Sequence, residues 1–304
     1  MRNTDPEPGH EFGQRLRNLA VAALVIGAAA TALNPVFVRL SDLPPVGSAF
    51  HRMAWALPIM WAWMMIENKA SAVVVRPPGR GDRWLLVLCG LFFAADLIAL
   101  HWSIRLTTVA NAILFLNAQP IYVVLGAWLL FGERVSRRFL AGVATAMAGA
   151  VVMLSESADF GGDRLLGDGL GVVAGLCYAG YILTATRLRS LFSSAVINAW
   201  TCLVACPFLL AGALATGQGL VPGSLAGWAL MIGLGVISQA GGQGLIVWAF
   251  AHLSASFSAA ALLSAPVASA VFAWIFLSET MGMTEIAGIL VVLVGIYMAH
   301  RASG

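Results

Sequence analysis

Apolar side chains run through this chain in long stretches, and polar residues gather in the short gaps between them. Segments 19–37, 85–104, 109–131 and 257–277 contain few ionisable side chains and each extends 19 residues or more. About 20 residues of helix cross the hydrocarbon core of a bilayer, so each of these reads as a spanning helix. Continuing along the chain gives ten spans, at 18–38, 45–66, 84–104, 107–131, 137–155, 167–186, 193–215, 225–251, 254–277 and 283–300. The predicted fold class is an all-α membrane protein with no room for a separate soluble domain. Residues 1–17, which mix Arg2, Arg15 and Arg17 with Asp5, Glu7 and Glu11, are expected to form a short cytosolic tail and not a signal peptide.

The pattern then repeats. Shifting the chain by 146 residues lays Trp102 on Trp248, Leu116 on Leu262, Pro120 on Pro266, Trp128 on Trp274 and Glu133 on Glu279, and also Gly142 and Gly149 on Gly288 and Gly295. Pro, Trp and Gly are costly in most helical contexts, so matches at one fixed offset point to two copies of one architecture. The expected units are 18–157 and 164–301, each of five spans.

Composition agrees with the periodicity. The chain is 60% apolar and 10% charged, against about 25% charged in an ordinary soluble domain. With the amino terminus in the cytoplasm, thirteen Lys and Arg residues fall on the cytoplasmic side, while Arg39, Arg52, Arg105 and Arg164 fall on the other. That bias orients the protein in a bacterial-type inner membrane with both termini cytoplasmic. Five spans per copy is an odd number, so the second copy enters upside down, giving two inverted-topology five-helix repeats. Units related in this way can exchange conformations and expose a site between them to each side in turn.

Two stretches carry a family resemblance. One runs from Ala99 to Ala112, through Gln119 and Pro120, to Phe131-Gly132-Glu133-Arg134-Val135-Ser136 and Leu140 to Gly142. The other runs from Trp248 to Ser256, through Ala265 and Pro266, to Leu277-Ser278-Glu279 and Ile286 to Gly288. Both resemble the EamA domain of the drug/metabolite transporter superfamily, over nearly the whole chain, and most resemble the YddG-type exporters of aromatic and other neutral amino acids. The resemblance implies an alternating-access exporter of such solutes. One departure is that Ser278-Glu279-Thr280 stands where the first copy has Gly132-Glu133-Arg134, so a different loop geometry is expected there.

Proline inside a span removes a donor and crowds the carbonyl four residues earlier, so Pro120 and Pro266 predict kinks that free the carbonyls of Leu116 and Leu262. Glu133 and Glu279 then stand at the membrane boundary, where a carboxylate can accept hydrogen bonds from the start of the next helix. Gly142 with Gly149, Gly288 with Gly295, and Gly171 with Gly175 predict close helix contacts. Gly241, Gly242 and Gly244 predict loosening or close packing of the eighth span.

Polar groups at membrane depth mark the candidate site. Asp96 lies inside the third span and needs a partner or a water-filled cavity. Asn34, which a shift of 144 lays on Tyr178, joins Tyr181, Asn117, Gln119 and the i, i+4 pair Gln239 and Gln243 as candidate cavity residues. Amides both donate and accept, which suits the ammonium and carboxylate of an amino acid. Asp96, His101 and His51 are the candidates for proton coupling, while His51 and Arg52 are expected to snorkel to the outer interface. Trp102 and Trp248 are candidate gates or interfacial anchors.

Catalysis finds no foothold in the sequence. There is no His-Glu-x-x-His or Gly-x-Ser-x-Gly motif, and Cys89, Cys177, Cys202 and Cys206 fall in apolar spans without accompanying histidines. No cofactor, metal or nucleic acid is implied; the expected partners are a small solute and the lipid bilayer. A carrier of another small solute is the first alternative, and a membrane-embedded enzyme or scaffold the second. Single cysteines placed at Ser71, Ser136 and Asp159 in a cysteine-free background test the orientation. An impermeant thiol reagent added to intact cells should label only the Asp159 replacement, and the reverse pattern would overturn the charge-based orientation.

Overall fold

A chain surrounded by hydrocarbon has to satisfy its peptide groups internally, and a helix does so within a single segment. This computed structural model describes residues 8–70, 79–107, 109–155, 165–217, 219–278 and 282–302. Helices and no strands occur among them. The boundary expected between 157 and 164, together with Glu279, Ser71 and Asp159, lies outside the described residues.

The first unit comprises α1 (Pro8–Ala32), α2 (Asn34–Leu40), α3 (Pro45–Ala70), α4 (Arg80–Leu106), α5 (Val109–Leu116), α6 (Gln119–Phe131) and α7 (Arg137–Leu154). The second comprises α8 (Leu165–Leu188), α9 (Ser194–Ala215), α10 (Leu225–Gly233), a π-helical segment (Leu234–Gln243), α11 (Gly244–Ala249), α12 (Ala255–Ala261), α13 (Ser264–Leu277) and α14 (Met283–Ala302). Nine helical stretches among the described residues are long and apolar enough to cross a membrane. The expected span at 45–66 is not among the nine. Its helix α3 has 26 residues, ample for a bilayer, but His51 and Arg52 dilute its apolar character. Helix α1 begins well before the expected start at 18, because helix formation is cooperative and propagates out of the apolar stretch into the polar tail.

Packing follows from the small residues. α7 lies along α14, α3 against α9, α4 against α8, and α1 against the π segment and α11. At the α7–α14 seam, a Cβ on Gly142 would stand 2.5 Å from the backbone nitrogen of Ala299, and one on Gly295 would stand 2.2 Å from that of Ala146. Gly149 and Gly288 meet the opposite backbone in the same way, so the two helices touch main chain to main chain, as the glycine spacing predicts.

Serine caps start four of the helices. Oγ of Ser136, Ser193, Ser224 and Ser254 accepts from the backbone N–H three residues on, at 3.1, 3.4, 2.9 and 3.2 Å. Capping of α7 therefore belongs to Ser136 and not to Glu133, whose side chain has no such bond among the described residues. Gly132 (φ 67, ψ 18) and Ser278 (φ 55, ψ 28) both close their helices in the left-handed region, while residues 279–281 of the loop after α13, where a different geometry is expected, lie outside the described residues. Glycine enters that region freely, whereas serine carries a Cβ penalty there. Ser278→Gly should therefore stabilise the protein by about 1 kcal/mol, and Gly132→Ala should destabilise it by a similar amount. Thermal unfolding in detergent measures both; a lower midpoint for Ser278→Gly would refute strain at that corner.

Candidate functional site

Four long helical stretches lose regular geometry inside the membrane. The first breaks at Leu33, between α1 and α2; the others break at Asn117 and Ala118, at Leu262 and Leu263, and through the π segment. Pro35 and Pro120 each sit in the first turn of the resumed helix, where a missing N–H costs nothing. Pro266 sits one position further on, as the third residue of α13, still within the first turn. The kinks predicted at Pro120 and Pro266 are thus full interruptions. One detail departs from expectation: the Leu262 carbonyl is not freed, because Ala265 N–H donates to it at 2.9 Å.

These interruptions surround one cavity of about 260 Å³. Asn34, Pro35, Leu116, Asn117, Gln119, Gln243, Leu262 and Pro266 line it from the broken stretches; Arg52, Phe93, Asp96, Leu97, Leu100 and Tyr178 line it from α3, α4 and α8. Irregular backbone at membrane depth is tolerated where it faces such a cavity. Around the cavity, Asn34 Oδ1, Asp96 Oδ1, Asn117 Nδ2 and Gln119 Oε1 are buried with no hydrogen-bond partner among the described residues. An unpaired buried polar atom costs about 1–3 kcal/mol, so four in one place are a strong local demand for a polar occupant.

Six of the eight residues expected at the cavity line it: Asn34, Asp96, Asn117, Gln119, Tyr178 and Gln243. Tyr181 and Gln239 stand one layer behind. The Tyr181 ring stacks on Tyr178 with centroids 5.9 Å apart, and Gln243 Nε2 donates to its hydroxyl at 3.0 Å. Gln239 is fully buried, and its Oε1 accepts from Arg52 Nε at 2.8 Å.

Arg52 corrects the sequence reading most. It does not snorkel to the outer interface but projects into the cavity, with its guanidinium 5.6 Å from the centre of the Phe93 ring. Seven residues separate it from the start of α3, about 10 Å of helix, or a third of the hydrocarbon core. His51 does not reach out to solvent either: it is buried, joined at 2.6 Å to the carbonyl of Leu220 in the loop between α9 and α10, and edge-on to Trp228.

His101 hydrogen-bonds through Nδ1 to the Leu97 carbonyl and lines a second cavity of about 300 Å³ with Trp102, Arg105, Pro44 and Thr216. Neither histidine lines the cavity that holds Asp96. Trp102 is 41% exposed, with Arg105 over its ring at 5.7 Å, whereas Trp248 packs on the core and on His252. The two repeat-related tryptophans thus occupy different environments, and neither reaches the cavity of Asp96.

The profile of the EamA-like transporter family matches residues 18–155 and again 165–301. The chain is 26% identical over 288 residues to a protein of Streptantibioticus cattleyicolor named a probable terminal-alkyne amino-acid exporter, covering 93% of each chain. It is also 26% identical over 265 residues to the pseudopaline exporter of Pseudomonas aeruginosa, covering 87% of this chain and 89% of the relative. One solved crystal structure superposes with a TM-score of 0.79 at 17% identity, across 94% of this chain and 99% of that one, which shows a shared fold.

The unpaired amides separate a binding role from a packing role by sign. Replacing Gln119 with Met or Asn117 with Leu removes a buried unsatisfied atom, so the solute-free protein should be as stable as before or more so. Solute affinity should fall at the same time. A loss of thermal stability with unchanged half-saturation would show that these amides join helices instead.

Proposed function

The chain belongs to the EamA-like transporter family, and from that premise we propose that it is a secondary carrier exporting small neutral or aromatic amino acids and related metabolites. The observation that carries this reading is the cavity where four helical stretches break and four buried polar atoms await partners. A volume of about 260 Å³ falls just below the roughly 300–1,000 Å³ of drug-sized ligand sites, which favours a solute of amino-acid size. The relative named as an amino-acid exporter supports the same class. A carrier of a different small solute is the second reading, favoured by the relative named for pseudopaline.

Alternating access follows from an inverted relation between the units; the packing supports a twofold exchange of the two, and the odd number of spans expected in each supplies the inversion. Exchanging the units sends α7–α14 and α3–α9 onto themselves, and it sends α4–α8 onto the packing of α1 with the π segment and α11. In this scheme α3 supplies the tenth span, both termini are cytoplasmic, and the membrane is the inner one. Buried Phe192, Val196, Phe250, Leu253 and Phe257 then pack together at the cytoplasmic end. The broken helices bend about their breaks as the closed end passes from one side to the other.

Purified protein in proteoliposomes should exchange labelled neutral amino acids with saturation, and a panel run with and without a pH gradient resolves cargo and coupling together. Flux of none of them, with flux of another solute class, would overturn the amino-acid reading. Pro120→Ala and Pro266→Ala should insert normally, since alanine is the better helix former, yet slow exchange. Wild-type flux in the double variant would remove the breaks from the mechanism.

A further inference from the structure

We propose that Arg52 and Asp96 recognise the two poles of an α-amino acid, the guanidinium holding its carboxylate and the Asp96 carboxylate holding its ammonium group. The assignment rests on the carrier reading above and names the chemistry by which the cavity selects its cargo.

Arg52 and Asp96 are the two charged side chains among the residues lining the cavity. Each feels the other electrostatically, but no hydrogen bond joins them among the described residues. Arg52 is held from behind: Nε donates to Gln239 Oε1, and the Phe93 ring face lies beneath the guanidinium. A guanidinium has five N–H donors. With Nε committed, the terminal nitrogens remain, and these form the fork that matches a carboxylate with two parallel bonds.

Asp96 is 5% exposed, and its Oδ1 accepts from no group among the described residues. Nearby Asn34 Oδ1 and Gln119 Oε1 are acceptors without donors, and an ammonium group supplies three donors and no acceptor. These three unpaired acceptors lining the cavity suit a cation, while Arg52, with the unpaired donor Asn117 Nδ2, suits an anion. An α-amino acid carries both one bond either side of a single carbon. Its two charges cancel against the pair in the protein, so a filled site is neutral in total, as a low-dielectric site requires.

The rest of the lining limits the side chain. Leu97, Leu100, Ile113, Leu116 and Leu262 are apolar, and no third charge faces the space. Leucine or phenylalanine fits that chemistry; the second charge of glutamate or lysine finds no partner. Gln239, outside the cavity, acts as a positioning residue through the Nε bond.

Competition against labelled L-leucine uptake into proteoliposomes, in symmetrical buffer, tests the assignment in the unaltered protein. Isopentylamine and leucine methyl ester lack the anionic pole, and 4-methylpentanoate lacks the cationic one. Loss of a charge-assisted hydrogen bond predicts competition weaker by about 10- to 150-fold in each case, with glutamate and lysine also weak. Arg52→Gln should close the gap between leucine and its ester, and Asp96→Asn the gap between leucine and 4-methylpentanoate. Gln239→Leu should narrow the first gap alone, a ratio that reduced folding does not move. Equal competition by unlabelled leucine and the three analogues in the wild type, or unchanged ratios in folded Arg52 and Asp96 variants, would overturn the assignment while leaving the carrier intact. Should L-leucine, L-phenylalanine and other neutral amino acids all fail to move, both the assignment and the amino-acid reading fall.

Discussion

Hydrocarbon offers no hydrogen bonds, and this constraint organises the protein. Every peptide group inside the bilayer has to be satisfied by the chain or by something the chain encloses. Four helical stretches nevertheless break, at Leu33, at Asn117 and Ala118, at Leu262 and Leu263, and across the π segment from Leu234 to Gln243. They converge on one space, so the cost of irregular backbone is met together by a shared polar interior. Scattered through the bundle, the same breaks would face lipid.

Charge obeys the same constraint. An arginine a third of the way into the membrane is costly beside lipid, yet here it has an amide behind it, an aromatic face beneath it and a carboxylate lining the same cavity. The π segment matters in this respect because it carries both Gln239, which holds Arg52, and Gln243, which holds Tyr181. Ser238 Oγ ties the segment to the Ala30 carbonyl of α1 at 2.9 Å. A widened helical turn therefore links the back of the cavity to one of the helices that break around it, in keeping with the tendency of π geometry to mark functional positions.

Much of this was readable in the sequence because membrane depth leaves few explanations for a polar residue. Asn34, Asp96, Asn117, Gln119, Tyr178 and Gln243 stood out as polar within apolar runs, and they meet at one cavity. Repeated prolines located two of the breaks, and glycine spacing located the α7–α14 contact. Arg52 was missed because it lies near the start of a span, where the snorkelling rule competes with burial; only the packing of α3 against the π segment decides between them. Gln239 and Tyr181 could not be separated from the lining residues, since periodicity gives the face of a helix and not the layer behind it. At the end of α13, Ser278 adopts a left-handed conformation that local preference disfavours for serine, which the sequence pattern alone did not indicate.

The seam between α7 and α14 divides the tasks of the molecule. Cβ atoms at Gly142, Gly149, Gly288 and Gly295 would meet main-chain atoms, and main chain cannot change rotamer to make way. No alternative side chain fits at those four positions without prising the helices apart. The lining of the cavity is under no such restriction, because its side chains face open volume, and none of the four glycines belongs to it. Substitutions can therefore re-specify the cargo while the join between the two units stays as it is. A scaffold partitioned in this way can diversify its chemistry at the centre without renegotiating its assembly at the edge.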